Sequence, residues 1–287
     1  MKKYDVHVHV AFKEGHVIGG EELISANEMI SSMDKRGIDI SVLMTSSADN
    51  SFTSNNEALK IIGKYPKRFM YMASIDIDQS YDKIVEDIKY EKTRGAIGLG
   101  ELVINRSICD EKIKDLFRAC QEEKMPILFH MAPGLGGDYY GIYDKSLLPM
   151  LDEALDEFKD LKIIGHSQPF WFEMFNRNEN VCPEIRNSYP KAGADIEGRL
   201  FDLMRKHDNL YCDLSANSGS NAIINHKMGV SFIKEFEDRI LFGTDIYNKD
   251  QYFPLKDHLE ELLKYKVIGE GTYNKIFTEN FEKLFLK

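Results

Sequence analysis

The strongest constraint on the fold of this chain is a phrase it keeps repeating. A short apolar run ends in polar or small residues, and an amphipathic helical pattern follows. Eight such runs read as strands: "YDVHVHV", "ISVLMTSS", "FMYMASIDI", "AIGLGELVI", "PILFHMA", "KIIGHSQ", "LYCDLSA" and "RILFGTD". Strands buried on both faces have this near-continuous apolar character. Helical segments between them include "EELISANEMISSMDKRG", "NNEALKIIGKY", "YDKIVEDIKYEKTRG", "EKIKDLFRACQEEK" and "LLPMLDEALDEFKD". In the last, Leu147, Leu148, Met150, Leu151, Ala154, Leu155 and Phe158 share one face at helical spacing, and Gly37 and Gly95 are placed to end two others. Eight strand–helix units in 287 residues predict an α/β fold, a (β/α)8 TIM barrel forming one domain over residues 1–287. A doubly wound open sheet is the rival, but the G-x-G-x-x-G turn expected after its first strand is missing. "GLGEL" is too short and too late to serve.

Charge narrows the class of partner. The formal net charge is −10, which argues against a nucleic-acid surface. No run approaches the ~18 apolar residues of a membrane span, and "MKK" leads into Asp5, His7 and His9 rather than a secretory h-region. The four cysteines, Cys109, Cys120, Cys182 and Cys212, form no C-x-x-C pair. The expectation is reduced thiols in a cytoplasmic protein, with a homodimer as the default assembly.

One connection breaks the rhythm. About forty residues separate "GHSQ" from "LYCDLSA", and they hold the single tryptophan, Trp171, with Phe170, Phe172 and Phe175. A long insertion after strand six predicts an ordered cap or lid over the strand ends.

The unusual polar residues fall at strand ends, where a parallel barrel places its active site. These are His7 and His9 on strand one, Glu101 on four, His130 on five, His166 on six, Asp213 on seven and Asp245 on eight. His7 and His9 are two apart on a strand and point to one face. Taken singly, each residue has a plain alternative. The histidines read equally as hydrogen-bonded core groups, Asp245 as a helix cap, and Glu101 as a carboxylate paired to Arg94 or Arg106. Their joint occurrence on matching strand ends favours a metal site, because imidazole and carboxylate suit Zn, Mn or Fe.

That ordered set, with "HVHV", "GLGEL", "FH", "GHS", "DLSA" and "FGTD", resembles the amidohydrolase superfamily, in its amidohydrolase-related (Amidohydrolase 2) branch. The resemblance runs from Tyr4 to about Asn280. It implies His7, His9, His130 and Asp245 as ligands of one divalent ion, with Zn2+ preferred and Mn2+ or Fe2+ as alternatives. His166 is implied as a catalytic group, or as a ligand if a second ion binds. Glu101 stands where binuclear members often carry a carboxylated lysine, so one or two ions per chain are allowed.

The expected activity is hydrolysis of an amide, ester or lactone in a small anionic molecule. Asp245 would serve as base and His166 would polarise the scissile carbonyl. A decarboxylase of an aromatic or muconate-type acid is the alternative, and a non-catalytic metal- or ligand-binding barrel ranks third. Arg106, Arg177 or Arg186 are candidates to grip an anion, with surface placement the commoner fate of an arginine. Trp171 and Tyr139, with Tyr140 and Tyr143 nearby, are candidate pocket walls. Asp213, Ser215 and Asn217 are read as partners that orient the ligands, or as turn residues. His16, His207, His226 and His258 fit no strand end and are read as surface or helix residues.

Overall fold

The computed structural model describes all residues except 19, 47–51, 190–195, 226 and 287. The end of the second expected strand at 47, and His226, lie outside the described residues. Eight strands alternate with helices: β1 (Tyr4–Val8), β2 (Ile40–Met44), β3 (Phe69–Met72), β4 (Leu99–Leu102), β5 (Ile127–Ala132), β6 (Ile163–His166), β7 (Leu210–Asp213) and β8 (Ile240–Leu241). All neighbouring pairs are parallel, in the order β1-β2-β3 and β4-β5-β6-β7-β8. The chain therefore has the (β/α)8 fold, built as two sheets rather than one continuous ladder. At the two seams the strands meet through single parallel bridges, Ala73 with Leu99 and Val8 with Ile246.

Alternation along the strands sorts residues between two apolar layers. Val42, Met72, Leu128, Ile164, Tyr211 and Leu241 form the inner cluster, while Leu43, Tyr71, Phe129, Ile163, Cys212 and Ile240 pack outward against the helices. One step beyond the inner residues, on the same face, stand His130, His166 and Asp213. Strand β1 departs from strict alternation. Tyr4 and Val6 belong to the inner cluster but Val8 and Val10 to the outer one, and the pairing register with β2 slips between Asp5 and Val8. That slip behaves as a bulge, and it gives His7 and His9 the inner face above Val6.

The far end of the barrel is plugged by the C-terminal helix Asn280–Phe285. Phe281 stacks on Tyr4 with centroids 4.1 Å apart, and the Tyr4 hydroxyl donates to Glu282 at 3.0 Å.

Two helix boundaries differ from the sequence expectation, each for a local reason. The first helix is Ala26–Arg36, because Ser25 and Glu28 form a reciprocal capping box, while Glu21–Glu22 pair with Val17–Ile18 in a small hairpin. Leu147 and Leu148 lie before the helix Pro149–Glu157, with φ of 69° and 49°. Both are in the left-handed region, and the buried Asp144 carboxylate accepts from the amides of Met150 and Leu151 to start the helix after them.

Two aromatic residues of the long connection belong to the core, which corrects the lid expectation for Phe170 and Trp171. Phe170 and Trp171 are fully buried, and Trp171 packs against Phe232. Packing against the helix Met228–Glu235 was not visible in the order of residues along the chain.

His207 is also a correction: it is buried, and its Nε2 lies 2.6 Å from Asp152. Asp152 accepts from Lys206 at 2.6 Å and Arg199 at 2.5 Å as well, tying Pro149–Glu157 to the helix Arg199–Lys206. Partial burial works against ionisation, but these hydrogen bonds outweigh it and bring the Asp152 carboxyl from 3.8 down to about 2. A carboxyl lowered on folding stabilises the native state above its unfolded pKa and loses that contribution as pH falls through the folded one. Asp152→Ala is expected to cost about 1–2 kcal/mol at neutral pH, after allowance for solvent screening. The gap from the parent should close between pH 4 and pH 2, as followed by urea unfolding.

Candidate metal and active site

Six of the seven strand-end residues converge on one point. His7 Nε2 lies 3.1 Å from His9 Nε2, 3.6 Å from Glu101 Oε2 and 3.5 Å from Asp245 Oδ1. His9 Nε2 is 3.5 Å from Glu101 Oε2 and 3.2 Å from Asp245 Oδ1. On the other side of the same glutamate, Oε1 meets His130 Nδ1 at 2.8 Å and His166 Nε2 at 3.6 Å. His166 Nε2 also approaches Asp245 Oδ2 at 3.8 Å. His130 thus joins the cluster through Glu101.

Asp213, the seventh, stands behind this cluster and holds it. Its Oδ2 lies 2.8 Å from His7 Nδ1 and 3.2 Å from His166 Nδ1, and accepts from the Ser215 hydroxyl at 2.6 Å. Ser215 Oγ is itself 3.0 Å from His166 Nδ1. Two imidazoles are therefore oriented from one carboxylate, with both Nε2 atoms turned toward Glu101 and Asp245. Room for it depends on Gly243, where an added Cβ would fall 2.4 Å from Asp213 Oδ1.

Asp5, not singled out in the sequence, performs a related task. Its buried carboxylate accepts from the His7 amide and from both the amide and hydroxyl of Thr244. This joins β1 to the end of β8 just before Asp245, whose φ is 55°. The Asp245 amide donates to the His7 carbonyl at 2.8 Å, and Gln251 Nε2 donates to the Asp245 carbonyl at 2.9 Å. An uncommon backbone conformation is thereby held from both sides. A polar residue two before His7 in an apolar run was the available signal.

The electrostatics follow from burial against charge. Desolvation would lower His7 and His9, but Asp245, Glu101 and, for His7, Asp213 overcome it and raise both. Desolvation would raise Glu101, Asp213 and Asp245, but the imidazoles hold all three below the usual carboxylate range. His130 is lowered, because burial there exceeds the help from Glu101.

Among the described residues, no lysine or arginine partners Glu101, Asp213 or Asp245, and carboxylates gathered this closely call for a cation. Ligands about 2.0–2.2 Å from a zinc-sized ion lie roughly 3.0–3.5 Å from one another. The distances of His7 and His9 from each other, from Glu101 and from Asp245, 3.1 to 3.6 Å, come close to that requirement. The donor triads are His7–His9–Glu101, His7–His166–Asp245 and Glu101–His130–His166. The residues present fit a divalent metal.

The cluster forms the floor of a cavity of about 440 Å3. Phe52 and Tyr140 wall it beside His9 and His130, with Val103, Gln168, Tyr189 and Tyr247 also in the lining. Gly141, at φ 97°, lets the chain pass His130, since a Cβ would fall 2.4 Å from the His130 carbonyl.

Several expected contributors stand elsewhere. Arg106 is spent on Asp78 at 2.6 Å and Asp110 at 3.6 Å. Arg177 is paired to Asp202 on the surface, and the buried Arg186 donates to the Asp144 carbonyl at 2.8 Å and pairs with Glu173 at 3.7 Å. Trp171 is core, its Nε1 donating to the Asp213 carbonyl at 3.0 Å. Tyr139 packs against Gly134, and its neighbour Tyr140 takes the place in the wall. Asn217 and Tyr143 are also outside the lining.

A family model described as amidohydrolase matches residues 4–286. No curated protein matches the chain. Among solved structures, an uncharacterized TIM-barrel protein from Bordetella bronchiseptica is similar at 18% identity and TM-score 0.64, covering 100% of this chain and 99% of that one. A probable 2-pyrone-4,6-dicarboxylic acid hydrolase from Acinetobacter baumannii is similar at 14% identity and TM-score 0.61, with all of both chains covered. The 5-carboxyvanillate decarboxylase of Novosphingobium aromaticivorans, solved with manganese, gives 16% and 0.63, covering 100% of this chain and 96% of that one.

Groups that orient metal-ligating histidines typically change affinity 10–100-fold when removed. Asp213→Asn should therefore weaken Mn2+ or Zn2+ binding by that factor, measured by competition with a chelator, while circular dichroism stays that of the parent.

Proposed function

Because the chain belongs to the amidohydrolase family, an enzyme family of metal-dependent proteins, we propose that it hydrolyses an amide, ester or lactone bond of a small molecule. The observation that carries this reading is the placement of Asp245. It is the partly open member of the cluster, with 22% of its side chain exposed. It also lines the cavity, and its carboxyl is held ionised by His7, His9 and His166 against the pull of burial. A base in that position takes a proton from an attacking water and delivers it to the leaving group.

His7, His9, Glu101 and Asp245 would hold a divalent ion, with Zn2+ or Mn2+ suited to the donors. Glu101 turns its second oxygen to His130 and His166, a set able to hold another. A divalent ion here supplies Lewis acidity, making a water a competent nucleophile at neutral pH. His166 is fixed through Nδ1 by Asp213 and Ser215, so its Nε2 keeps one direction toward the reacting groups. With a single ion bound it stands ready to stabilise charge developing on a carbonyl oxygen.

A decarboxylase reading draws on the same residues, and it is favoured by the 5-carboxyvanillate decarboxylase among the similar folds. One panel separates the two. Protein loaded with Zn2+ or Mn2+ is offered esters, amides and lactones alongside aromatic acids. Hydrolysis that disappears on chelation and returns with metal is the expected result, whereas CO2 release without hydrolysis would transfer the assignment. Asp245→Asn should lower kcat by about 10^2–10^4 without unfolding the chain. Elemental analysis should find one or two divalent ions per chain.

A further inference from the structure

We propose that Asn105 is a positioning residue of the substrate-binding wall: its side chain latches the loop of residues 134–141 and so presents Tyr140 to the cavity. The proposal rests on reading that cavity as the substrate site of a metal centre, and it is the same for hydrolysis or decarboxylation there.

The stretch that ends β4 carries three tasks on alternate residues. Glu101 belongs to the ligand cluster, and Val103 lines the cavity. Asn105, two further on, is partly buried and makes three hydrogen bonds to the loop that follows β5. Its Nδ2 donates to the Gly134 carbonyl at 3.1 Å and to the Gly141 carbonyl at 3.2 Å. Its Oδ1 accepts from the Gly136 amide at 2.7 Å. Only one orientation of a carboxamide offers its donors to two carbonyls and its oxygen to an amide. One side chain thus gathers both ends of the loop. The Gly141 amide adds a main-chain tie beside it, donating to the Val103 carbonyl at 2.6 Å.

The loop needs such a tie because its own residues do not dictate its shape. Gly136 and Gly137 have φ of 78° and 62°, a region glycine enters and leaves freely, so holding one conformation costs entropy. Past Gly141 the chain is anchored again, where Ile142 and Tyr143 pair in parallel with Met131 and Ala132. Tyr140 stands between the glycines and that anchor. Its ring lies 4.2 Å from the His130 ring, yet the residue is 57% exposed, so this contact covers it only in part. A ring held so lightly keeps its place in the cavity wall only while the backbone beneath it is fixed.

The test separates the wall from the ion with two chelating probes. Acetohydroxamate and benzohydroxamate share the group that binds a divalent ion and differ in the ring that reaches the wall. The full chain loaded with Mn2+ is titrated calorimetrically with each. Asn105→Ala and the near-isosteric Asn105→Leu are both expected to weaken benzohydroxamate five- to twentyfold, while acetohydroxamate stays within twofold. Tyr140→Leu should weaken benzohydroxamate as much. Asn105→Leu should add no further loss in that background, because the two residues act as one unit. Amide hydrogen exchange in the Asn105 variants should accelerate at least tenfold in residues 134–141 and stay that of the parent in β4 and β5. Equal losses for both probes, additive losses in the double variant, or unchanged exchange in the loop would overturn the proposal. If neither probe binds the Mn2+-loaded parent, the metal-centre reading fails, and exchange in the loop alone decides whether Asn105 is its latch.

Discussion

Everything at the open end of this barrel is organised around buried like charge. Glu101, Asp213 and Asp245 are drawn together around the imidazoles at the floor of the cavity, Asp213 fully buried behind them and Asp245 partly open. Such an arrangement is unfavourable unless positive charge enters it. Protonated histidines answer part of the demand, and a divalent ion answers it more completely. The strain at Asp245, the bulge in β1 and the small residue at Gly243 all make sense as devices that let these carboxylates approach.

Division of labour among the carboxylates follows from depth. Asp213 is fully buried and spends both oxygens on orientation, toward Ser215 and two histidines. Asp5, also buried, shapes backbone rather than side chains. Glu101 divides its oxygens between two sets of histidines at the edge of the cavity, and Asp245 is the most exposed of the four. Identical chemistry thus yields four roles, set by what surrounds each group and by access to water.

The barrel and much of the centre of the site were legible in the sequence because parallel strands obey a period, although His7 and His9 reach the inner face through the bulge in β1. Strands two-face buried in a parallel barrel must read as apolar runs, and their last inward residues must sit at one end. His7, His9, Glu101, His130, His166 and Asp245 could be read from that logic, as could Asp213 and Ser215 behind them. The remainder obeys no period. Tyr139 and Tyr140 are adjacent in a glycine-rich loop, and nothing in their order shows which faces the histidines. Trp171 looked like a cap residue because it lies in a long insertion, but its indole finds its partners in Phe232 and the end of β7. The arginines were equally misleading. Their acidic partners, Asp78 for Arg106 and Glu173 for Arg186, are brought to them by tertiary packing.

The bond from Trp171 to the Asp213 carbonyl has a consequence of a different kind. Tryptophan occurs once in this chain, and its indole nitrogen is tied to the backbone of the residue that orients His7 and His166. Near-ultraviolet emission excited above the tyrosine band therefore arises from one place, two bonds removed from the ligand cluster. The protein carries its own optical reporter, whose wavelength and lifetime follow the hydrogen bond and packing at the end of β7. A shift in the Asp213 backbone on loading with a divalent ion would register there in unlabelled protein, without a chromogenic substrate.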